Sequence, residues 1–189
     1  MLTYYTATTL DGFLADPDDS LEWLFRQQQG DVPGYGFDDF MAGVGALVMG
    51  RTTYEWVLDH ETAAGNGWPF VLPTWVMTSR ELPAAEGDVR FASGDVRAVH
   101  EAMTAAAGTK GLWLVGGGDL AGQFAEAGLL DEVVVSIAPV TLGAGRPLLP
   151  RRLDLELVEA AANGSFVSAR YRVAGSLLED RAGLEDRAG

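Results

Sequence analysis

The chain has 189 residues, 48% hydrophobic and 21% charged, which fits one globular domain with a single substantial core. A formal net charge of −14 argues against a nucleic-acid or anionic-membrane surface, and the absence of cysteine removes disulfides, thiolate nucleophiles and cysteine-based metal sites. The start shows no basic segment followed by an apolar one, and no apolar run approaches membrane-span length, so the expected setting is the cytoplasm.

Along the chain, β-rich runs alternate with helical patterns. Strands are predicted at 2–9, 46–50, 74–78, 88–92, 112–116 and 132–140, with helices at about 37–44, 53–58, 95–107 and 118–127. Val96, Val99, Met103 and Ala106 share one helical face, and Gly108 supplies the stop. Two further strand patterns, 153–162 and 166–174, flank Asn163-Gly164, a strong hairpin signal. The expected fold is α/β: one domain, 1–175, with a mainly parallel central sheet flanked by helices and an antiparallel C-terminal hairpin. Residues 59–73 read as a long surface loop whose Trp68, Pro69 and Phe70 either cover a pocket or simply pack. The tail, 176–189, contains LEDRAG twice; its leucines are six apart, which fits no heptad.

Three strand ends carry the chemistry. In LVMGRTTYEWV, Thr52 and Glu55 have capping-box spacing, predicting a helix start near Thr53 with Gly50 and Arg51 at its mouth. Arg51 offers either a phosphate fork or a surface ion pair. In VMTSRE, a strand ends in Thr78, Ser79 and Arg80, hydroxyls and a guanidinium that suit a ribose phosphate or a polar turn. In LWLVGGGDLAGQF, Gly116, Gly117 and Gly118 link a strand to a helix; one glycine would satisfy a tight turn, and three are more than it needs. Glycines there expose free N–H groups and the positive helix end to an anion. Gly116, Gly118 and Ala121 fit a dinucleotide fingerprint, but the following strand ends in Ala138-Pro139 without the ribose-binding acid, so that fingerprint is rejected.

Taken with TLDGFLA near the start and APVTLGAGRPL later, these motifs resemble the dihydrofolate reductase-like superfamily. The similarity runs from about Leu2 to Val173 and is nearest to the C-terminal reductase domain of the riboflavin-biosynthesis deaminase/reductase. The resemblance implies an oxidoreductase that binds NADPH along the strand ends. Gly50, Arg51 and Thr52 would meet cofactor phosphates, and Thr78, Ser79 and Arg80 the adenosine 2′-phosphate. Gly116, Gly117, Gly118, Asp119 and Leu120 would cradle the pyrophosphate, with Gln123 near the adenine and Ala7 and Leu14 beside the nicotinamide. Asp119 is the departure, since an acid beside phosphates is unfavourable unless it points away.

On the substrate side, Asp38 or Asp39 is the candidate for anchoring a pterin- or pyrimidine-like ring and supplying a proton. Their alternative role is that of acids at a helix start. Ser136 matches a substrate-facing hydroxyl, and Asp11 is either a ligand or a turn residue. His60 and His100 have no metal-ligand spacing, and no metal is expected. The rivals are a non-catalytic nucleotide-binding module and an enzyme acting on a phosphorylated sugar through Arg51 and Arg146. The other expected partners are a small heterocyclic substrate and a second copy of the chain, because the hairpin leaves an apolar sheet edge.

Overall fold

The computed structural model describes residues 1–177. Its strands are β1 (Leu2–Thr9), β2 (Phe13–Ala15), β3 (Val44–Gly50), β4 (Thr74–Met77), β5 (Val89–Ala92), β6 (Gly111–Gly116), β7 (Glu132–Ala138), β8 (Arg146–Pro147), β9 (Leu153–Asn163) and β10 (Phe166–Ser176). The helices are α1 (Glu22–Phe25), α2 (Phe37–Ala42), α3 (Arg51–Ala63), α4 (Val96–Ala107) and α5 (Gly118–Glu126). Eight strands form one sheet in the order β5-β4-β3-β6-β1-β7-β10-β9. The first six run parallel, and β10 and β9 close the sheet antiparallel. Short β2 and β8 pair antiparallel as a separate ribbon. The α/β expectation with an antiparallel hairpin holds; the charged repeat in the tail lies outside the described residues.

The central strands are buried on both faces, which is why they read as unbroken apolar runs rather than alternating ones. On one face Tyr4, Val48, Leu112 and Leu114 pack under α4 and α5, against Val99, Met103 and Phe124. On the other face Leu47, Met49, Val76 and Trp113 pack with Tyr54, Phe40 and Phe70. Period-two alternation within β3 and β6 thus feeds two cores at once.

Two expectations are corrected and one open alternative is decided. Helix α3 runs to Ala63, so the first part of the supposed loop 59–73 is helical. Trp68 and Phe70 do not cover a pocket: Trp68 packs on Tyr54 at 5.3 Å and Phe70 meets Trp113 edge-on at 5.6 Å, sealing the second core. The Thr52–Glu55 capping box does not form either, because the N-cap is Gly50 with no side-chain cap, and Glu55 pairs with Arg51 one turn back.

The Asn163-Gly164 hairpin turn does more than reverse the chain. Asn163 is fully buried; its Oδ1 accepts the Val32 amide at 3.3 Å and its Nδ2 donates to Ser168 Oγ at 3.4 Å. Gly164 has φ +65° and lies so close to Gln28 that any Cβ would collide with its carbonyl. The turn therefore anchors the segment that follows α1. Replacing Asn163 by Ala leaves the part-buried Val32 amide without its acceptor and should cost about 1–3 kcal/mol, read as a lower urea midpoint with an unchanged m value.

Candidate functional site

The C-terminal ends of the parallel strands open into one cleft of about 820 Å³. Ligands in open parallel sheets bind there, where the crossover direction changes and two helix starts diverge. Thr6 and Ala7 come from β1, Gly50 to Thr53 from the β3–α3 junction, and Met77, Thr78 and Ser79 from the end of β4. Ser93 and Gly94 follow β5, and Val115 to Leu120 with Gln123 come from the β6–α5 junction. Leu14, Ala15, Arg146 and Pro147 of the small ribbon form another wall. Five adjacent strands span four intervals of roughly 4.8 Å, about 19 Å in all, room for an extended ligand.

Two of the helices whose first turns line this cleft lack side-chain caps. The N-cap of α3 is Gly50 and that of α5 is Gly117, and neither has a capping side chain. Helix α4 differs: its Asp95 side chain accepts the Arg97 amide at 2.9 Å. The uncapped first turns present N–H groups without intrahelical partners and the positive end of each helix.

Two of the three consecutive glycines are required by close neighbours. A Cβ on Gly118 would lie 2.5 Å from the Leu148 carbonyl oxygen and nearer still to that of Pro147. One on Gly116 would press on the Thr53 hydroxyl at 3.2 Å. Gly117 is the exception, because a Cβ there meets nothing within 4 Å. No protein atom requires it, and the open space faces the cleft that Gly117 lines.

The residues expected beside a cofactor are brought together: Ala7, Leu14, Gly50, Arg51, Thr52, Thr78, Ser79, Gly116, Gly117, Gly118, Asp119, Leu120 and Gln123 all line the cleft. Arg80 does not; it is exposed just past Thr78, whose Oγ1 accepts the Arg80 amide at 3.0 Å. Asp119 turns aside. Its carboxylate accepts Gln123 Nε2 and Arg151 Nη2, each at 2.9 Å, and these two partners hold it below the usual aspartate range.

The substrate-side expectations fare differently. Asp38 and Asp39 are exposed on the first turn of α2 and do not line the cleft. Ser136 faces the hairpin instead, with its hydroxyl 2.9 Å from that of Ser168. Asp11 is a turn lock: it accepts the Thr9 hydroxyl at 2.5 Å, the Leu142 amide at 2.9 Å and the Gly143 amide at 2.7 Å. Those bonds, the Thr9 hydroxyl first and the Gly143 amide next, hold its carboxyl below the usual value.

Sequence reasoning missed Asp19, Ser93 and Gly94 in the lining and left Trp56 as core or pocket wall. Ser93 and Gly94 obey the rule that flagged Thr78 and Ser79, polar residues just past a strand, and could have been found by it. Asp19 has no local signal. It sits at φ +62°, a region that side-chain-bearing residues seldom occupy, and grips Arg146 through two bonds of 2.6 and 2.9 Å.

The model of the RibD C-terminal domain family matches residues 1–167. The chain belongs to that family. It is 31% identical over 172 residues to the uncharacterised protein YwjB of Bacillus subtilis (strain 168), covering 88% of this chain and 94% of YwjB. Among solved structures it is similar to a putative riboflavin biosynthesis protein from Shewanella sp. PV-4, at 27% identity and a TM-score of 0.76 over 91% of this chain and 98% of that one. Acinetobacter baumannii RibD shares the fold at 15% identity and a TM-score of 0.64, over 92% of this chain and 58% of the larger protein. The RibD C-terminal domain has a dihydrofolate reductase-like architecture, as the sequence motifs implied.

Asp11 should matter to stability with a defined pH signature. Its folded pKa is depressed, so its contribution is present above the ordinary value near 3.8 and is lost as pH falls through the folded pKa. The melting-temperature deficit of Asp11→Ala should therefore be full at pH 6–7 and shrink below about pH 4.

Proposed function

We propose that the protein is an NADPH-dependent reductase that delivers hydride to a C=N or C=O carbon of a planar heterocycle. The observation that carries this reading is Gly117: a glycine whose side-chain direction is open space, at an uncapped helix start inside a cleft lined by phosphate-suited residues. Family membership supports the same reading.

When bound, NADPH supplies the hydride from its nicotinamide. The chain does the rest. The amides of Gly118, Asp119 and Leu120 at the first turn of α5 would hold the pyrophosphate, and those at the start of α3 a second anionic oxygen. Thr78, Ser79 and nearby Arg80 suit the 2′-phosphate at the β4 end. Ala7 and Leu14 give the β1 end an apolar wall that would exclude water from the reacting carbon.

One observation favours a binding module without turnover. The carboxylates in the cleft lining are all engaged, Asp19 by Arg146, Glu55 by Arg51 and Asp119 by Arg151. A reductase would then draw its proton from water or a hydroxyl such as Thr6 or Thr52.

A thermal-shift titration with NADPH and NADH tests the reading. Ligand at about 100 times its Kd adds roughly 2.7 kcal/mol, at about 2–4 °C per kcal/mol for a chain of this size. A shift with NADPH well above that with NADH is expected, and Gly117→Ala should reduce it while leaving the ligand-free protein folded. No shift with either nucleotide would sink the proposal.

The exposed edge of the sheet leads to a second expectation. Among the described residues, strand β9 pairs only with β10 and exposes Leu155, Leu157 and Val158. We infer a homodimer through this edge. Light scattering should give a dimeric mass for the native protein and a monomeric one for Leu157→Glu.

A further inference from the structure

An aromatic group at the β1 end of the cleft is not used by the cofactor reading. Trp56, on α3, lines the cleft. Its ring stacks on His60, one turn later, at 4.7 Å with planes 13° apart. Phe25, at the end of α1, lies 6.1 Å from Trp56 at 16° and 5.4 Å from His60 at 6°. Three near-parallel rings thus join α1 to α3 beside the mouth, and Phe25 is still 56% exposed. The same lining includes the apolar residues Ala7, Leu14, Leu21, Leu24 and Val115.

Charge at the same site is arranged against an anionic substrate. The guanidiniums in the lining are those of Arg51 and Arg146, and each brings its own carboxylate into the cleft, Glu55 and Asp19. Asp119 adds a third acid, whose partner Arg151 is not part of the lining. Arg80, whose guanidinium pairs with no described residue, stands past the β4 end and is not part of the lining. A phosphate on the substrate would therefore meet no unpaired cation at the β1 end. Drawing Arg146 to it would set the released Asp19 carboxylate beside the new anion, a like-charge contact.

We propose that Trp56 is a stacking residue of the substrate subsite, and that this subsite selects a planar heterocycle bearing no phosphate. This inference rests on the reductase reading of the same cleft. An aromatic ring stacked on a heterocycle contributes enough that its removal weakens binding by about tenfold or more. The partners of Trp56 serve the subsite by fixing its orientation, so Phe25 and His60 are positioning residues.

The probes are riboflavin and its 5′-phosphate, which share a fluorescent planar ring and differ in the phosphate, with biopterin as a smaller ring. Each is titrated into the protein saturated with NADP+, following ligand fluorescence, which stacking on tryptophan quenches. Riboflavin, biopterin or both should bind with quenching, and riboflavin 5′-phosphate should bind about tenfold more weakly than riboflavin or not at all. Trp56→Ala should weaken the bound ring by about tenfold or more, and Trp56→Phe, which keeps a ring, should restore most of it. Riboflavin 5′-phosphate binding as tightly as riboflavin or more so, an unchanged Kd in Trp56→Ala, or no binding of any ring overturns the proposal. The NADPH thermal shift of the wild-type protein separates the two levels. A shift with no ring binding removes the subsite alone, and no shift removes the parent reading with it.

Discussion

The architecture of the cleft depends on one close approach, the backbone of Pro147 and Leu148 against Gly118. No side chain fits between them. This contact lays the segment from Leu142 to Arg151 across the start of α5, and the rest of that segment is tied down on either side. Asp11 holds its beginning through the Leu142 and Gly143 amides, and Arg146 reaches back to Asp19. The Leu148 amide donates to the Gly12 carbonyl, the Tyr4 hydroxyl donates to the Leu148 carbonyl, and Arg151 closes on Asp119. A late stretch of chain with only two strand residues is thereby a wall of the site. Its rigidity comes from what it is bonded to rather than from secondary structure of its own.

Much of this was legible in the sequence, because the signals were local. Apolar runs bounded by polar strand ends gave the parallel sheet, Asn163-Gly164 gave the hairpin, and the strand-to-glycine-to-helix turns at Gly50 and Gly116 gave the cleft. What stayed hidden was set by partners distant in sequence. Asp11 is a turn lock because Leu142 and Gly143 come to it from 131 and 132 residues away. Trp68 and Phe70 are core residues because Tyr54 and Trp113 wait beneath them. The capping-box spacing at Thr52 was correct as a pattern and failed as structure: Gly50 already begins the helix, and Glu55 is taken by Arg51. Asp38 and Asp39 were placed at a helix start correctly, and that start lies away from the cleft.

The protein is strongly acidic, yet the cleft suits a polyanion. Side-chain cations do not explain this, since Arg51 and Arg146 are each matched by an acid. Backbone dipoles do. Amide hydrogens at the starts of α3 and α5 bring positive charge to the cleft without adding a mobile cation, and fixed dipoles need no reorganisation when an anion arrives. The surface can then stay negative while a short stretch of cleft does not.

The missing caps have a further consequence. A helix start without a capping side chain lacks roughly 0.5–2 kcal/mol of stabilisation that such a residue ordinarily gives. In α3 and α5 that place is open to whatever occupies the cleft, and an anionic ligand bound there would complete two helices at once. Hydrogen exchange at the amides of residues 51–53 and 118–120 would then be a gauge of occupancy. The ligand-free chain would fray first at the point where the filled one is most firmly closed.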